Sequence, residues 1–143
     1  MDINPAHQFD FWLGEWEARW GEDSLGTNHV TRILDDKVIQ EDFRAPELHG
    51  LSFSVFDDER QLWCQTWVDN NGSYLDFTGN YQENKMVLVR DAIVRGEKCK
   101  QRMVWYDIQE NQFQWNWERS DDGGNTWRTL WHIEYMRIEM HGT

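Results

Sequence analysis

The chain has 143 residues, a length that fits one domain, and 39% of them are hydrophobic, including 10 Trp, 7 Phe and 4 Tyr, so it is neither disordered nor short of material for a core. Aspartate and glutamate (26) outnumber lysine and arginine (14), which gives a formal net charge of −12. This excess repels phosphate backbones and anionic lipids, so we expect no nucleic-acid and no membrane partner, while the oligomeric state stays open.

The amino-terminal residues, MDINPAHQFD, contain no basic segment followed by an apolar one, so we expect no secretory signal. No apolar run in the sequence approaches the length of a transmembrane helix. We therefore expect a cytoplasmic protein, in which Cys64 and Cys99 stay reduced.

From Gly14 onward, alternating or β-rich runs are separated by short polar turns, and apolar residues almost nowhere recur at helical spacing. Before them, the segment 5–13 is predicted to form a short helical turn. Because the predicted strand content is unusually high for a globular protein, we expect several of the predicted strand ranges to be too long. The pattern predicts about ten strands, over 14–20, 27–34, 38–44, 50–56, 61–69, 73–81, 85–94, 99–108, 111–118 and 126–138.

The turns between these runs have hairpin length and are rich in Asp, Asn and Gly, as at 70–72 and 121–125. A series of hairpins joins neighbouring antiparallel strands into a meander, and closing the meander removes its two exposed edges. We therefore predict an all-β fold: a single up-and-down antiparallel β-barrel of about ten strands over residues 1–143, with the helical turn over one mouth.

The segment Gly14-Glu15-Trp16 resembles the Gly-x-Trp signature that opens the first strand of lipocalins and related calycin barrels, which include fatty-acid-binding proteins. In those barrels the Trp packs at the closed end against an Arg or Lys from the last strand. Arg137, in the last predicted strand, is the matching residue here. The resemblance implies a calycin-like barrel in which Gly14, Trp16 and Arg137 have structural roles.

A second resemblance extends over nearly the full chain. A bacterial family of unknown function (domain of unknown function 1579) begins with Phe-Asp-Phe-Trp-x-Gly-Glu-Trp, contains a Gln-Thr-Trp-Val-Asp strand, and ends with a Gly-Gly-x-Thr-Trp turn and a Tyr-x-Arg strand. The chain has similar motifs at 9–16, 65–69, 123–127 and 135–137. This resemblance also implies a calycin-like barrel, and it brings no established activity or site residues.

Residues 120–127, Ser-Asp-Asp-Gly-Gly-Asn-Thr-Trp, resemble the Asp-box hairpin Ser-x-Asp-x-Gly-x-Thr-Trp that recurs in sialidase propellers. Here the motif occurs once, and 143 residues with these strands cannot supply several four-stranded blades. We therefore predict a hairpin with Trp127 packed beneath it, and no glycosidase chemistry.

Alternation along the strand 111–118 places its aromatic residues on one face. Along 61–69, aromatic residues share a face with polar ones, and parity alone does not say which face points inward. A barrel of this size can enclose one small molecule, so we predict a Trp-rich lumen that binds a small, mostly apolar or aromatic ligand. If indoles filled the lumen completely, the chain would instead act through its surface. The predicted ligand contacts are Phe43, Trp67, Trp105, Trp115 and Trp117 as walls, with Glu41, Gln65 and His132 as polar groups.

A buried carboxylate could instead make the barrel an enzyme. Glu41 shares a face with Ile39 and Phe43, and if that face is the lumen, burial would raise the pKa of Glu41 and suit it to carry a proton. Such an isomerase, cyclase or hydratase would use Glu41 or Asp69 on a hydrophobic substrate. No Ser/His/Asp or Cys/His set can be assembled from spacing, so no catalytic residue is assigned.

Haem is the one cofactor that the sequence leaves open, and no other is predicted. Barrels of the nitrobindin type resemble this architecture and take their proximal iron ligand from a His near the carboxyl terminus, where this chain has His132. Against this alternative, His132 falls on the strand face opposite Arg137. No His or Cys pair has the spacing of a structural zinc site, so no metal site is predicted.

Overall fold

The computed structural model of this chain describes residues 4–138. Its strands are β1 (Gly14–Trp20), β2 (Ser24–Ile33), β3 (Val38–Arg44), β4 (His49–Asp57), β5 (Leu62–Asp69), β6 (Tyr74–Gln82), β7 (Lys85–Val94), β8 (Glu97–Tyr106), β9 (Gln112–Ser120) and β10 (Arg128–Arg137). Each strand pairs antiparallel with its neighbours in the chain, and β1 pairs with β10 to close the barrel. The predicted all-β, up-and-down barrel of ten strands is therefore confirmed.

Two short 3₁₀ helices, Pro5–His7 and Asp10–Trp12, precede β1 and form the predicted helical turn over one end of the barrel. Phe9, between them, is fully buried, and its ring centroid lies 5.0 Å from that of Trp105 inside the barrel. This segment plugs what we call the closed end. Among residues 4–138, no helix is long enough and apolar enough to cross a membrane.

Predicted and observed strand boundaries differ mainly at the hairpins. β8 begins at Glu97 rather than at 99, because Arg95 and Gly96 (φ 52° and 82°) form a two-residue turn with both residues in the left-handed region. β2 begins at Ser24 rather than at 27. We expected several predicted strands to be too long. At the starts of β2 and β8 this expectation is wrong, because short turns allow the strand pairing to begin earlier in the chain.

Arg137, at the end of β10, holds the seam between the first and last strands. Its guanidinium carbon lies 4.3 Å from the ring centroid of Trp16, and its nitrogens donate to the carbonyl oxygens of Leu13 (2.8 Å) and Glu110 (2.9 and 3.1 Å). Gly14 leaves room for this side chain, because a Cβ there would overlap Nη1 of Arg137 and its φ of +130° disfavours other residues. The residues that carry the Gly-x-Trp resemblance thus meet at the closed end.

The hairpin at 120–127 is organised around Asp122. Its carboxylate accepts hydrogen bonds from the backbone N–H (2.8 Å) and the hydroxyl (2.6 Å) of Thr126, and these bonds lower the pKa of Asp122 to about 2. The ring of Trp127 packs against the guanidinium of Arg102, 4.1 Å from the ring centroid. Each contact of this motif is one that shapes the turn or seats it on the barrel.

Replacing Arg137 with Met should lower the free energy of unfolding by about 2–4 kcal/mol, because two carbonyl groups lose their donors and the Trp16 indole loses its cation. Urea denaturation followed by tryptophan fluorescence measures this loss. The matched control is Arg95→Met, which removes an exposed arginine and should change stability by less than about 0.5 kcal/mol. Equal losses in the two variants would contradict the role assigned to Arg137.

Candidate ligand-binding cavity

Strand register settles which side chains point into the barrel. On β5, Trp63 and Gln65 are 1% and 2% exposed, and Trp67 follows them on the same face. On β3, the inward face carries Glu41 and Phe43, which are 8% and 3% exposed. The sequence left the orientation of β5 open, and in the structure its tryptophans point inward.

A cavity of about 190 Å³ remains among these inward side chains. An apolar cavity of about 150 Å³ is enough to bind benzene, so this space matches a molecule of one or two rings. The indoles therefore do not fill the lumen completely. The lining is mostly apolar and includes six tryptophans: Trp12, Trp67, Trp105, Trp115, Trp117 and Trp131.

The aromatic walls of the cavity hold one another in place by edge-to-face contacts. The ring centroids of Trp115 and Trp131 lie 5.6 Å apart with the planes at 89°. Those of Phe43 and Trp131 lie 6.0 Å apart, also at 89°, whereas the rings of Phe43 and Trp67 are tilted at 59° with centroids 6.4 Å apart. Perpendicular pairs are a preferred arrangement of aromatic rings, so the walls support one another's positions without a ligand.

Glu41 places a carboxyl group in this apolar lining. Oγ of Ser52 donates to its Oε1 (2.7 Å), and Nδ2 of Asn28 donates to its Oε2 (2.8 Å). Burial raises the pKa of Glu41 from 4.5 to about 7, although the two hydrogen bonds oppose the change, and repulsion from Asp42 adds to it. Near neutral pH the group therefore exists in both its protonated and its ionised form.

Tyr135, on β10, lines the same cavity and is 3% exposed. Burial raises the pKa of its hydroxyl well above its usual value, and the charge of Glu41 acts in the same direction. The hydroxyl therefore stays neutral and brings a polar group, without a charge, close to Glu41.

The mouth of the cavity lies at the end opposite the 3₁₀ helices, where β5 ends at Asp69. This carboxylate accepts hydrogen bonds from Nε1 of Trp67 (2.8 Å) and from the backbone N–H groups of Asn71 (2.9 Å) and Ser73 (3.2 Å). Partial burial opposes ionisation, but these bonds lower the pKa of Asp69. Gly50 makes the arrangement possible, because a Cβ there would overlap the Trp67 indole. The mouth therefore carries a fixed negative charge.

Two buried polar atoms near the cavity lack a hydrogen-bond partner within the described residues of the barrel. Trp105 lines the cavity, and its buried Nε1–H has no acceptor. Oδ1 of Asn28, on the residue that donates to Glu41, is buried without a donor. Buried polar atoms in folded proteins nearly always have a hydrogen-bond partner, so leaving these two atoms unpaired costs stability in this part of the barrel.

Six of the eight predicted contact residues line the cavity. Gln65 faces the interior but donates to Oγ of Ser54 (2.9 Å) and is not part of the lining. His132 is exposed on the outer face of β10, with its Nδ1 2.8 Å from Oδ1 of Asn116. The six that line the cavity are Glu41, Phe43, Trp67, Trp105, Trp115 and Trp117.

Strand alternation corrects the placement of His132 in the lumen. Its neighbours on β10, Trp131 and Ile133, line the cavity, so His132 points outward and cannot ligate an iron inside the barrel. The residue that the sequence suggested as an axial haem ligand is therefore not inside the barrel. Within residues 4–138, no group of three His, Cys, Asp or Glu side chains is placed to hold a metal ion.

Sequence reasoning missed three lining residues on β10, namely Trp131, Ile133 and Tyr135. The sequence could have predicted them. The Gly-x-Trp resemblance implies that Arg137 lies inside the closed end, and alternation puts these three residues on the same face of the strand as Arg137. The polar partners of Glu41 were missed without any such signal, since they lie on two other strands.

Comparison of the chain with models of known protein families gives no match, and a search of curated proteins gives none either.

Glu41 should make the folded protein less stable as the pH rises from 6 to 8. A carboxyl whose pKa is raised from 4.5 to about 7 keeps its proton in the folded chain after the unfolded chain has lost it, so stability falls through this window. In Glu41→Gln, the decrease in the free energy of unfolding between pH 6 and pH 8 should be smaller by about 1 kcal/mol.

Urea denaturation at the two pH values measures the difference. Glu134→Gln, which changes an exposed carboxyl on the outer face of β10, is the control and should leave the fall unchanged. If the stability of Glu41→Gln falls between pH 6 and pH 8 by as much as that of the unsubstituted protein, a group other than Glu41 causes the pH dependence.

Proposed function

We propose that this protein binds a small, mostly apolar or aromatic molecule inside the Trp-rich cavity. The observation that carries the proposal is about 190 Å³ of unfilled space in a barrel whose closed end is tightly packed, with Phe9, Trp12 and Trp16 at most 1% exposed. Unfilled space in a core costs stability, so a core built only for stability would close it. The retained space supports a ligand.

The size and polarity of the cavity narrow the class of ligand. About 190 Å³ suits one or two rings. The polar side-chain groups at the site are few: the carboxyl of Glu41, the hydroxyl of Tyr135 and the carboxylate of Asp69 at the mouth. A small number of polar groups in an apolar pocket fixes the orientation of a ligand, which supports a ring with a polar substituent over a pure hydrocarbon.

Proton transfer on a bound substrate is a second candidate function, favoured by the position of Glu41. A carboxyl with a pKa of about 7 that lines the cavity is suited to accept and return a proton at neutral pH. Mass spectrometry of a ligand incubated with the protein in deuterated water discriminates the two functions. An enzyme would exchange carbon-bound hydrogen and lose this exchange in Glu41→Gln, whereas a binding protein would exchange none.

We also propose that the chain belongs with the calycin barrels and, among them, with the bacterial family that shares its motifs. The contact of Arg137 with Trp16, 4.3 Å from the ring centroid, supports the first assignment because it joins the two ends of the chain at the closed end. The motifs at 9–16 and 65–69 support the second.

Leu75→Trp should weaken the binding of ring-sized probes, because Leu75 lines the cavity and an indole at this position would occupy the space. The matched control is Tyr74→Trp, which adds the same indole at the adjacent residue, 64% exposed. Isothermal titration calorimetry with indole measures both.

We expect indole to bind Leu75→Trp at least about tenfold more weakly than the unsubstituted protein, with no change in Tyr74→Trp. Equal affinity in Leu75→Trp, or no binding of indole to the unsubstituted protein, would count against binding in the cavity.

A further inference from the structure

The charged groups that line the cavity all have one sign. Glu41 in the wall and Asp69 at the mouth carry carboxyl groups, and none of the lining residues is Lys, Arg or His. One guanidinium, that of Arg90, lies 6.0 Å from the ring centroid of the lining residue Phe77, and its Nη1 donates to Oε1 of Gln101 (2.6 Å). The net charge of −12 attracts cations at longer range. The lining therefore supplies negative charge without a positive partner.

The aromatic rings of the same cavity are suited to a cation. The face of an indole carries negative electrostatic potential, and a cation within about 6 Å of its centroid is attracted to it. Trp115 and Phe43 both meet Trp131 at 89°, so a molecule in this corner contacts more than one ring. Arrays of aromatic rings of this kind recognise quaternary ammonium groups.

From these two observations we propose that the ligand of the cavity is a small organic cation: an aromatic ring that carries a protonated or quaternary amine. The ammonium group lies against the aromatic rings of the cavity and near the carboxylate of Glu41, and the ligand's own ring fills the remaining apolar space. This inference rests on the binding function proposed above and names the chemical class of its ligand.

Anionic and neutral ligands fit the cavity less well. A carboxylate on the ligand would be brought close to Glu41 and Asp69 with no basic residue in the lining to pair with it, and like charges repel strongly in an apolar site. A neutral ring would leave the ionised form of Glu41 buried without an opposite charge, which is costly. A cation removes both penalties.

Protonation of Glu41 controls how well the site holds a cation. Three uncharged groups face it: the hydroxyl of Tyr135 from β10, Oγ of Ser52 from β4 and Nδ2 of Asn28 from β2. Asp42, next to it on β3, and Asp69, in the same lining, add negative charge. Because the pKa of Glu41 is about 7, its carboxylate becomes the main form above neutral pH, and affinity for a cation should rise from pH 6 to pH 8.

A pair of isosteric probes tests the charge preference directly. Phenyltrimethylammonium and tert-butylbenzene have the same shape and differ by one positive charge. At pH 8 we expect the protein to bind the cation at least about tenfold more tightly than the neutral probe in titration calorimetry. At pH 6 the affinity for the cation should fall several-fold, and benzoate should not bind at either pH.

Two variants show whether Glu41 is the source of the preference. Glu41→Gln keeps the space and removes the charge, so it should still bind tert-butylbenzene and should lose both the preference for the cation and its pH dependence. Glu134→Gln removes an exposed carboxyl from the outer face of β10 and should keep the preference. Urea denaturation checks that both variants are folded.

The outcomes separate this inference from the binding function. If tert-butylbenzene binds as tightly as phenyltrimethylammonium, or if Glu41→Gln keeps the preference for the cation, the inference is overturned and the binding function stands. If neither probe binds the unsubstituted protein, and indole titration gives the same result for Leu75→Trp as for the unsubstituted protein, both the inference and the binding function fail.

Discussion

The contact between Arg137 and Trp16 holds the barrel together at the seam where its two ends meet. β1 and β10 come from opposite ends of the chain, and in their register Trp16 lies opposite Arg137. With Arg137 inside the closed end, alternation along β10 obliges Trp131, Ile133 and Tyr135 to point inward as well. One seam contact therefore determines which residues of the last strand form a wall of the cavity.

Eight of the ten tryptophans fall into two groups by depth. Those near the closed end are at most 1% exposed and pack with the amino-terminal helices, whereas those nearer the mouth are only partly buried and surround the cavity. Trp12 and Trp105 also line the cavity, so the packed closed end forms part of the cavity wall, and substitutions at these two residues affect both stability and recognition. The first group is Trp12, Trp16, Trp63 and Trp105, and the second is Trp67, Trp115, Trp117 and Trp131.

Ten strands and their closure were predictable because alternation and hairpin residues are local in sequence. The inward face of β5 was not, since each of its faces mixes polar with apolar residues. His132 was assigned to the lumen on a resemblance, although alternation along β10 already turned it outward. The hydrogen bonds of Asn28 and Ser52 to Glu41 depend on the register of three strands, which no single run of sequence reveals.

A crystal structure of the protein grown with phenyltrimethylammonium tests most directly whether the cavity binds a small aromatic cation. The predicted result is electron density for the probe inside the cavity, with its ammonium group against the rings of Phe43, Trp115 and Trp131 and on the side of Glu41. Side chains that close over the cavity and exclude the probe, or a probe bound only on the outer face of the barrel, would contradict this assignment.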